Sequence, residues 1–306
     1  MWDAIRGQER SLPRLVTSVQ TNPTPVLISG PSGVGKRLAA IQAARWLLCR
    51  GTKQGTCNCK SCLLFSKNAH PDFLTLSGRS GSVGVAEVRS LVETLQSYPA
   101  LGVYVVFLDC LEGFTLASQN GLLKTIEEHP KTVRFLATTS NTLEVVPAIL
   151  SRCSVISFDS LPLEVVASKM ASVEKSPPLV DLYSRMAEGS LGRAMILWKN
   201  NQVVVRDGCF ELLEWLVKRD YYSILGAIDG DRAPDQILWL GQILSDGCLP
   251  SPRIHVDSAE RIARLSSSLD FPSLWFSYRE LVSKVAQAPS LNVANHLKGF
   301  FLAYSH

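Results

Sequence analysis

A glycine-rich loop with one lysine follows an early apolar run of the chain. The run 26–29 leads into Gly30, Gly33 and Gly35, and Lys36 stands directly before a helical pattern. In this strand, loop and helix order, backbone N–H groups and a helix N-terminus can wrap phosphate groups, and the lysine can reach the β and γ phosphates. The loop therefore predicts a nucleotide-binding site.

Two residue types that an ATPase site needs are missing. Arg37 stands where Ser or Thr normally holds magnesium, and a guanidinium cannot ligate a metal. The apolar run 103–108 leads to Asp109, as the acidic strand of such a site should, but Cys110 follows where a glutamate normally activates water. Glu112 comes two residues too late and is expected on a different side of the chain. We therefore expect that nucleotide binding can survive and that hydrolysis is absent or negligible.

Four of the 8 cysteines cluster in a short stretch after the helical pattern that follows the loop. They are Cys49, Cys57, Cys59 and Cys62. This density favours metal ligation over a disulfide framework, and four thiolates suit a closed tetrahedral zinc site with no open position for water. We expect a structural zinc site; the alternative is four reduced thiols in an exposed loop.

The elements that must position these residues alternate in the first half of the chain. Short apolar runs predict strands, and apolar residues at spacings of three and four predict helices between them. The predicted strands are 26–29, 73–76, 103–108, 133–138 and 154–158, and the predicted helices are 37–48, 85–96 and 116–128. This alternation is typical of a parallel sheet with helices on both faces.

Strand patterns become scarce after about residue 161, and helical periodicity replaces them. A change of class of this kind usually marks a domain boundary. We predict an α/β P-loop domain at 1–160 with a Cys-rich insert at 49–62, a small helical domain at 161–200 and an all-α C-terminal domain at 201–306.

Composition limits the class of protein. The chain has 306 residues, of which 46% are hydrophobic and 19% charged, and no run approaches the roughly 18–20 apolar residues of a membrane span. No secretory leader pattern opens the sequence, so we expect a cytoplasmic protein. The net charge of +4 permits contact with nucleic acid without establishing it, because a self-sufficient nucleic-acid-binding domain usually has a much denser basic patch.

Three further segments together resemble the clamp-loader branch of the AAA+ family. They are 118–130, 135–139 and the triplet Ser151, Arg152, Cys153. In that branch the arginine of the triplet projects across a subunit interface toward ATP bound by the neighbouring subunit. The resemblance implies that Arg152 is an arginine finger that acts in trans; the alternative is an ordinary surface arginine.

The resemblance also implies two nucleotide sensors and a lid. The segment 189–194 is similar to the family's sensor 2 segment, which makes Arg193 the candidate on a helical lid domain, 161–200. The sensor 1 position falls at Thr138 or Thr139. In the same family the C-terminal helices, here 201–306, form an oligomerisation collar.

The chain has an intact Ser-Arg-Cys triplet, but its acidic strand lacks the glutamate that should follow Asp109. This combination resembles the non-hydrolysing subunits of that branch. The segment His70, Pro71, Asp72 also occurs in those subunits. The resemblance also implies a four-cysteine zinc module, which the family carries after the P-loop helix. In the family two residues typically separate each of the last three cysteines, whereas here only Asn58 separates Cys57 from Cys59.

The resemblance implies a stator of the clamp loader of bacterial DNA polymerase III, active in DNA replication without catalysis of its own. Its partners would be the gamma or tau and delta subunits, the sliding β clamp and, through the complex, primed DNA. Three alternatives stay open. They are an ATP-hydrolysing gamma or tau-type motor that depends on Lys36 and magnesium, a P-loop kinase or transferase, and a zinc-containing nucleic-acid-binding module.

Overall fold

The computed structural model describes residues 2, 5–21, 23–52, 57–128, 130, 132–228, 230–250, 254–287 and 292–304. The middle of the Cys-rich insert, 53–56, and His129 of the segment 118–130 lie outside the described residues. Contacts divide the chain into two compact units, 1–166 with 188–193, and 167–187 with 194–306. The division into three domains stays a prediction.

The first unit is built on a parallel five-stranded sheet. Its strands are β1 (Val26–Ser29), β2 (Phe73–Ser77), β3 (Tyr104–Asp109), β4 (Val133–Thr139) and β5 (Ser154–Ser157), and their order is β2-β3-β4-β1-β5. Every bound lies within one residue of its predicted position. The strands β1 and β3 are buried along their whole length, which explains why they are continuously apolar instead of alternating. The predicted α/β domain is confirmed.

Helices fill the connections between strands and most of the remaining chain. They are α1 (Ser11–Thr21), α2 (Lys36–Leu48), α3 (Lys60–Ser66), α4 (Val85–Leu95), α5 (Leu116–Glu127), α6 (Pro147–Leu150), α7 (Leu163–Met170), α8 (Pro177–Met186), α9 (Leu191–Lys199), α10 (Gln202–Val217), α11 (Tyr221–Ala227), α12 (Ala233–Gly247), α13 (Ala259–Ser268), α14 (Phe271–Gln287) and α15 (Val293–Leu302). None of the described helices combines the length and the apolar character needed to cross a bilayer.

The sheet order brings three loops together. In a parallel sheet all strands end at the same edge, and β4 lies between β1 and β3. The register pairs Ser29 with Thr139 and Ser77 with Asp109. The loops that follow β1, β3 and β4 therefore meet at one place, which is where the sequence predicts the nucleotide site.

The second unit has a core of its own and contains no strand within its described residues. The helices α10 and α12 pack against each other, and Trp239 of α12 is fully buried. The Trp239 indole N–H donates to Gln202 Oε1 at 2.9 Å, so this aromatic residue is satisfied inside the core. The predicted helical character of the C-terminal part is confirmed.

One buried glutamine connects α5 to the loops around it. Gln119 is 2% exposed, and its Nε2 donates to the carbonyl oxygens of Leu111, Phe114 and Glu144 at 3.3, 3.3 and 3.0 Å. Its Oε1 accepts the N–H of Val146 at 2.8 Å, one residue before α6 begins. The amide thus fixes the segment that leads to the Ser-Arg-Cys triplet.

Replacing Gln119 with leucine should lower the free energy of unfolding by about 2–3 kcal/mol, because the change leaves buried backbone groups without partners. Chemical denaturation of the purified chain measures this loss. The matched control is Asn120→Leu at the next, exposed position of α5, which should change stability by no more than about 0.5 kcal/mol. Equal effects of the two substitutions would contradict the role given to Gln119.

Candidate nucleotide-binding and metal-binding sites

The glycines of the loop after β1 are required by its backbone. Gly30, Gly33 and Gly35 have φ values of +136°, +77° and +101°, which side chains rarely permit. A Cβ at Gly30 would also lie 2.1 Å from the carbonyl oxygen of Phe158, which follows the neighbouring strand β5. The loop is therefore a tight, glycine-dependent turn at the N-terminus of α2, as the sequence predicts.

Lys36 is the first residue of α2 and is almost fully buried, at 5% exposure. Its Nζ donates to the carbonyl oxygens of Gly30 and Pro31 at 2.5 and 2.7 Å and to Ser140 Oγ at 3.2 Å. Burial lowers the pKa of the Lys36 ammonium. The ammonium is thus held inside the loop by neutral acceptors, which an anionic phosphate could replace with stronger, charge-assisted bonds.

Asp109 ends β3 as a fully buried carboxylate surrounded by cations. Arg79 donates from Nε to Oδ2 at 2.6 Å and from Nη2 to Oδ1 at 3.3 Å, and Thr138 Oγ1 donates to Oδ1 at 2.7 Å. Arg37 Nε lies 3.3 Å from Oδ2. Burial alone would raise the pKa of Asp109, but the hydrogen bonds from Arg79 and Thr138 and the two arginine charges lower it on balance.

Arg79 is a site residue that sequence reasoning missed. It follows β2, which pairs with β3 so that Ser77 stands opposite Asp109. A sequence signal could have identified it. Arg79 is a basic residue just past the end of a strand, and the neighbouring strand ends in a buried acid.

The two candidate sensor 1 threonines have different contacts. Thr138 binds the carboxylate of Asp109, and its hydroxyl also accepts the N–H of Cys110 at 3.0 Å. The Thr139 hydroxyl donates to the carbonyl oxygen of Asn141 at 2.9 Å and accepts its N–H at 3.2 Å, so it closes a local turn. Of the two, Thr138 touches the acidic residue of the site.

The expectation that Glu112 lies on a different side of the chain is wrong. Cys110 adopts a left-handed conformation, with φ at 59°, and redirects the chain after β3. Glu112 Oε1 then accepts the N–H of Ser140 at 2.9 Å, while the hydroxyl of the same serine accepts from Lys36. The Glu112 carboxylate consequently stands at the edge of the loop site, although not at the position that follows Asp109 directly.

The segment 189–194 contacts the glycine loop through its backbone. Gly192 N donates to Gly33 O at 3.1 Å, and a Cβ added to Gly192 would lie 2.9 Å from the Cα of Gly33. Arg193, by contrast, donates from Nη1 to Glu188 Oε2 at 2.9 Å. Among the described contacts, none joins Arg193 to Lys36 or to the carboxylate of Asp109, so the structure brings the sensor 2 segment to the loop but not its arginine.

Arg152 belongs to a separate surface. It forms an ion pair with Glu127 at the end of α5, and its Nη1 donates to Ala148 O at 2.8 Å. The two paired side chains are 37% and 42% exposed. Beside them lies an open cleft of about 670 Å³, lined by Pro23, Thr24, Pro25, Ile126, Glu127, Ser151 and Arg152.

The four clustered cysteines come together in space. All four sulfur atoms lie within 4.8 Å of one another, and they belong to Cys49, Cys57, Cys59 and Cys62. Cys49 and Cys62 are buried. A tetrahedral zinc ion with bonds of about 2.3 Å places its sulfurs roughly 3.8 Å apart. The donor set therefore fits a single metal ion, and the shortened spacer at Asn58 does not prevent the four sulfurs from meeting.

The segment His70 to Asp72 ties this cysteine cluster to the sheet. His70 Nδ1 accepts the N–H of Asp72 at 3.1 Å, so His70 Nε2 carries the proton and donates to Ser61 Oγ at 2.8 Å. Ser61 Oγ in turn donates to Leu48 O at 2.6 Å, next to Cys49. Burial lowers the pKa of His70, which favours the neutral ring that this chain of bonds requires.

Comparison with known proteins gives consistent matches. The family model described as "DNA polymerase III, delta subunit" matches residues 7–162. The chain is 30% identical to DNA polymerase III subunit delta' of Escherichia coli, over 72% of this chain and 68% of that one, and 28% identical to the delta' subunit of Haemophilus influenzae, over 80% and 76%. It is 29% identical to the tau subunit of E. coli, over 75% of this chain but 36% of that one.

Gly192→Ala should destabilise the first unit by about 1–3 kcal/mol, because the added methyl group would collide with the backbone of Gly33. The matched control is Gly208→Ala inside α10, where an added Cβ meets no atom within 4 Å. That substitution should raise stability by about 0.5–1 kcal/mol, as alanine favours a helix more than glycine does. Thermal unfolding of both variants distinguishes the two signs.

Proposed function

Because this chain belongs to the delta' family of DNA polymerase III subunits, we propose that it serves as the non-hydrolysing stator of a clamp loader. In this role it assembles with the gamma or tau and delta subunits and helps to load a sliding β clamp onto primed DNA during replication. It works in the cytoplasm, and it supplies structure and one catalytic side chain instead of a complete reaction of its own.

The observation that carries this proposal is the state of the acidic residue at the loop site. Hydrolysis of ATP in P-loop enzymes requires a metal held by a hydroxyl and a carboxylate, and a group that positions the attacking water. Here Arg37 replaces the hydroxyl, and the carboxylate of Asp109 is bound by Arg79. A nucleotide can still bind at Lys36 and the glycine loop, but the parts that would cleave it are missing.

Arg152 is the catalytic side chain that we propose for a neighbouring subunit. An arginine supplied in trans neutralises charge on a transferred phosphoryl group and changes the rate by about 10³–10⁵. Two observations support this role: the guanidinium is partly exposed beside an open cleft, and its partner in the isolated chain is the equally exposed Glu127. An exposed ion pair contributes about 0–1 kcal/mol, so a phosphate can displace Glu127 at low cost.

The rest of the chain is assigned by the same proposal. The helical segment 161–200 acts as the lid, and 201–306 joins the collar that holds the subunits together. Thr138 or Thr139 takes the sensor 1 position at the loop, and Arg193 takes the sensor 2 position on the segment 189–194, whose backbone contacts the loop. The mild excess of positive charge is consistent with contact to DNA through the complex, not with an independent DNA-binding module.

We propose that the four-cysteine cluster binds one structural zinc ion. The four sulfurs would hold it as thiolates in a closed tetrahedral sphere, which leaves no position for a reacting water molecule. The role of the metal is to fix the insert between α2 and β2. Glycine at position 51 supports this geometry, because a Cβ there would lie 2.6 Å from the sulfur of Cys57.

The alternative function is that of an ATP-hydrolysing gamma or tau-type motor. The similarity to tau favours it, because the two chains match over most of this sequence. A motor must hydrolyse ATP with the help of Lys36 and magnesium, and the bound state of Asp109 argues against this.

Arg152→Ala should reduce ATP hydrolysis at the neighbouring site by roughly 10³-fold when the complex is reconstituted with motor subunits, delta, clamp and primed DNA. Steady-state hydrolysis by the whole complex should fall by the share of that one site. The isolated wild-type chain should hydrolyse no ATP. The matched control is Arg89→Ala, an exposed arginine on α4, which should leave the rate of the complex unchanged.

Gel filtration must show that both variants assemble like wild type, so that any loss of rate belongs to the side chain. Brisk hydrolysis by the isolated chain would make it a motor. A normal rate of ATP hydrolysis by the assembled complex with Arg152→Ala would contradict the role of Arg152 as an arginine finger.

One zinc ion per chain should be found by elemental analysis of the purified protein, and Cys62→Ser should lower this content to a small fraction. Loss of one of four thiolates should also weaken the fold of the insert, since structural zinc sites contribute folding energy directly. Cys248→Ser, at an exposed cysteine outside the cluster, is the control and should leave the zinc content at one. Zinc-free wild-type protein would contradict the proposal.

A further inference from the structure

The carboxylate of Asp109 stands where a P-loop ATPase binds magnesium, yet its charged partners are two arginines. Both of its oxygens accept hydrogen bonds from Arg79, and Arg37 lies 3.3 Å from one of them. Thr138 donates to the other oxygen at 2.7 Å. The side chain is 0% exposed, and the Ser77 hydroxyl also lies 3.5 Å from Oδ2.

Magnesium does not fit this arrangement. It requires nearly octahedral oxygen ligands at about 2.0–2.1 Å. The residue in the position of the hydroxyl ligand is Arg37, which has no acceptor atom. A divalent cation next to Asp109 would also stand within a few Å of two guanidinium groups, and like charges at that distance repel strongly away from bulk water.

We propose that the glycine loop binds the triphosphate of a nucleotide without magnesium, and that the guanidinium groups of Arg37 and Arg79 provide the positive charge that the metal provides elsewhere. This inference deepens the proposal that the loop can hold a nucleotide. It is independent of Arg152, which acts at a different surface.

The charges around the loop favour an anion that carries no metal. Lys36, Arg37 and Arg79 are positive, while Asp109 and Glu112 are negative, so positive side chains are in excess before any ligand binds. The N-terminus of α2 adds a further positive field. A ligand that brought its own divalent cation would lose part of this attraction.

The two arginines are also accessible to a ligand. Their side chains are 53% and 45% exposed although each lies against the buried Asp109. A guanidinium has five N–H donors in a planar fork, and at most two from each arginine are directed at Asp109 here. The remaining donors can bind phosphate oxygens, which arginine does especially well.

The test is the affinity of the full-length chain for ATP, measured by isothermal titration calorimetry with and without magnesium chloride. The magnesium-free buffer should be prepared by ion exchange, because a chelator would also extract metal from the cysteine cluster. We expect the dissociation constant without magnesium to equal the value with magnesium within about twofold, and Lys36→Ala to weaken binding by at least about tenfold, or about 1.4 kcal/mol.

Removing the two guanidinium groups should make the affinity for ATP depend on magnesium, which we expect it not to do in wild type. In the double variant of Arg37→Thr with Arg79→Gln, magnesium should tighten ATP binding by about tenfold or more, because the hydroxyl and the freed carboxylate can then ligate it. In Arg37→Thr alone, Arg79 still binds Asp109, so the new hydroxyl should give a smaller but measurable tightening by magnesium. Arg37→Thr alone keeps the test valid if the double variant does not fold. Arg89→Ala should behave like wild type.

Three results would overturn the inference: wild type that binds ATP only with magnesium, wild type that binds ATP under neither condition, or variants that show no response to magnesium. None of these results would contradict the stator proposal, which is tested by ATP hydrolysis in the neighbouring subunit. Conversely, a failed arginine-finger experiment would leave the magnesium-independent affinity unchanged.

Discussion

A carboxylate that is removed from water at the edge of a sheet must be compensated by its neighbours, and Asp109 meets this requirement with partners from three parts of the chain. Arg79 follows β2, Arg37 stands at the start of α2, and Thr138 belongs to β4. One buried charge therefore holds together the ends of adjacent strands and the beginning of the helix that follows the glycine loop. Without these cations the burial of the carboxylate would be strongly unfavourable.

The same contacts decide what the site can do. The carboxylate of Asp109 accepts hydrogen bonds from Arg79 and Thr138 and lies beside Arg37, which is the basis of the proposal that the site works without magnesium. The proposed contribution of the chain to catalysis lies instead at Arg152, where the physical requirement is opposite. Its ion pair with Glu127 is exposed and weak enough to exchange partners, while the buried amide of Gln119 keeps the supporting segment fixed.

The sequence predicted the elements of this architecture well because their signals are local. Continuous apolar runs marked the buried strands to within one residue, and glycine spacing marked the loop. The clustered cysteines also met in space. What failed depended on the path of the chain between elements: the left-handed conformation of Cys110 brought Glu112 to the site, and the pairing of β2 with β3 brought Arg79 to Asp109. The choice between Thr138 and Thr139 likewise depended on which face of β4 meets the acid.

The contact between Gly33 and Gly192 has a consequence for how sequences of this kind can change. Each glycine has its backbone against the other, so the space for a side chain at either position is already taken. A substitution at one is tolerated only if the backbone at the other moves away, although the two lie far apart along the chain. Related sequences that keep this contact should therefore keep glycine at both positions, the more so at Gly33, whose φ of +77° side chains rarely adopt.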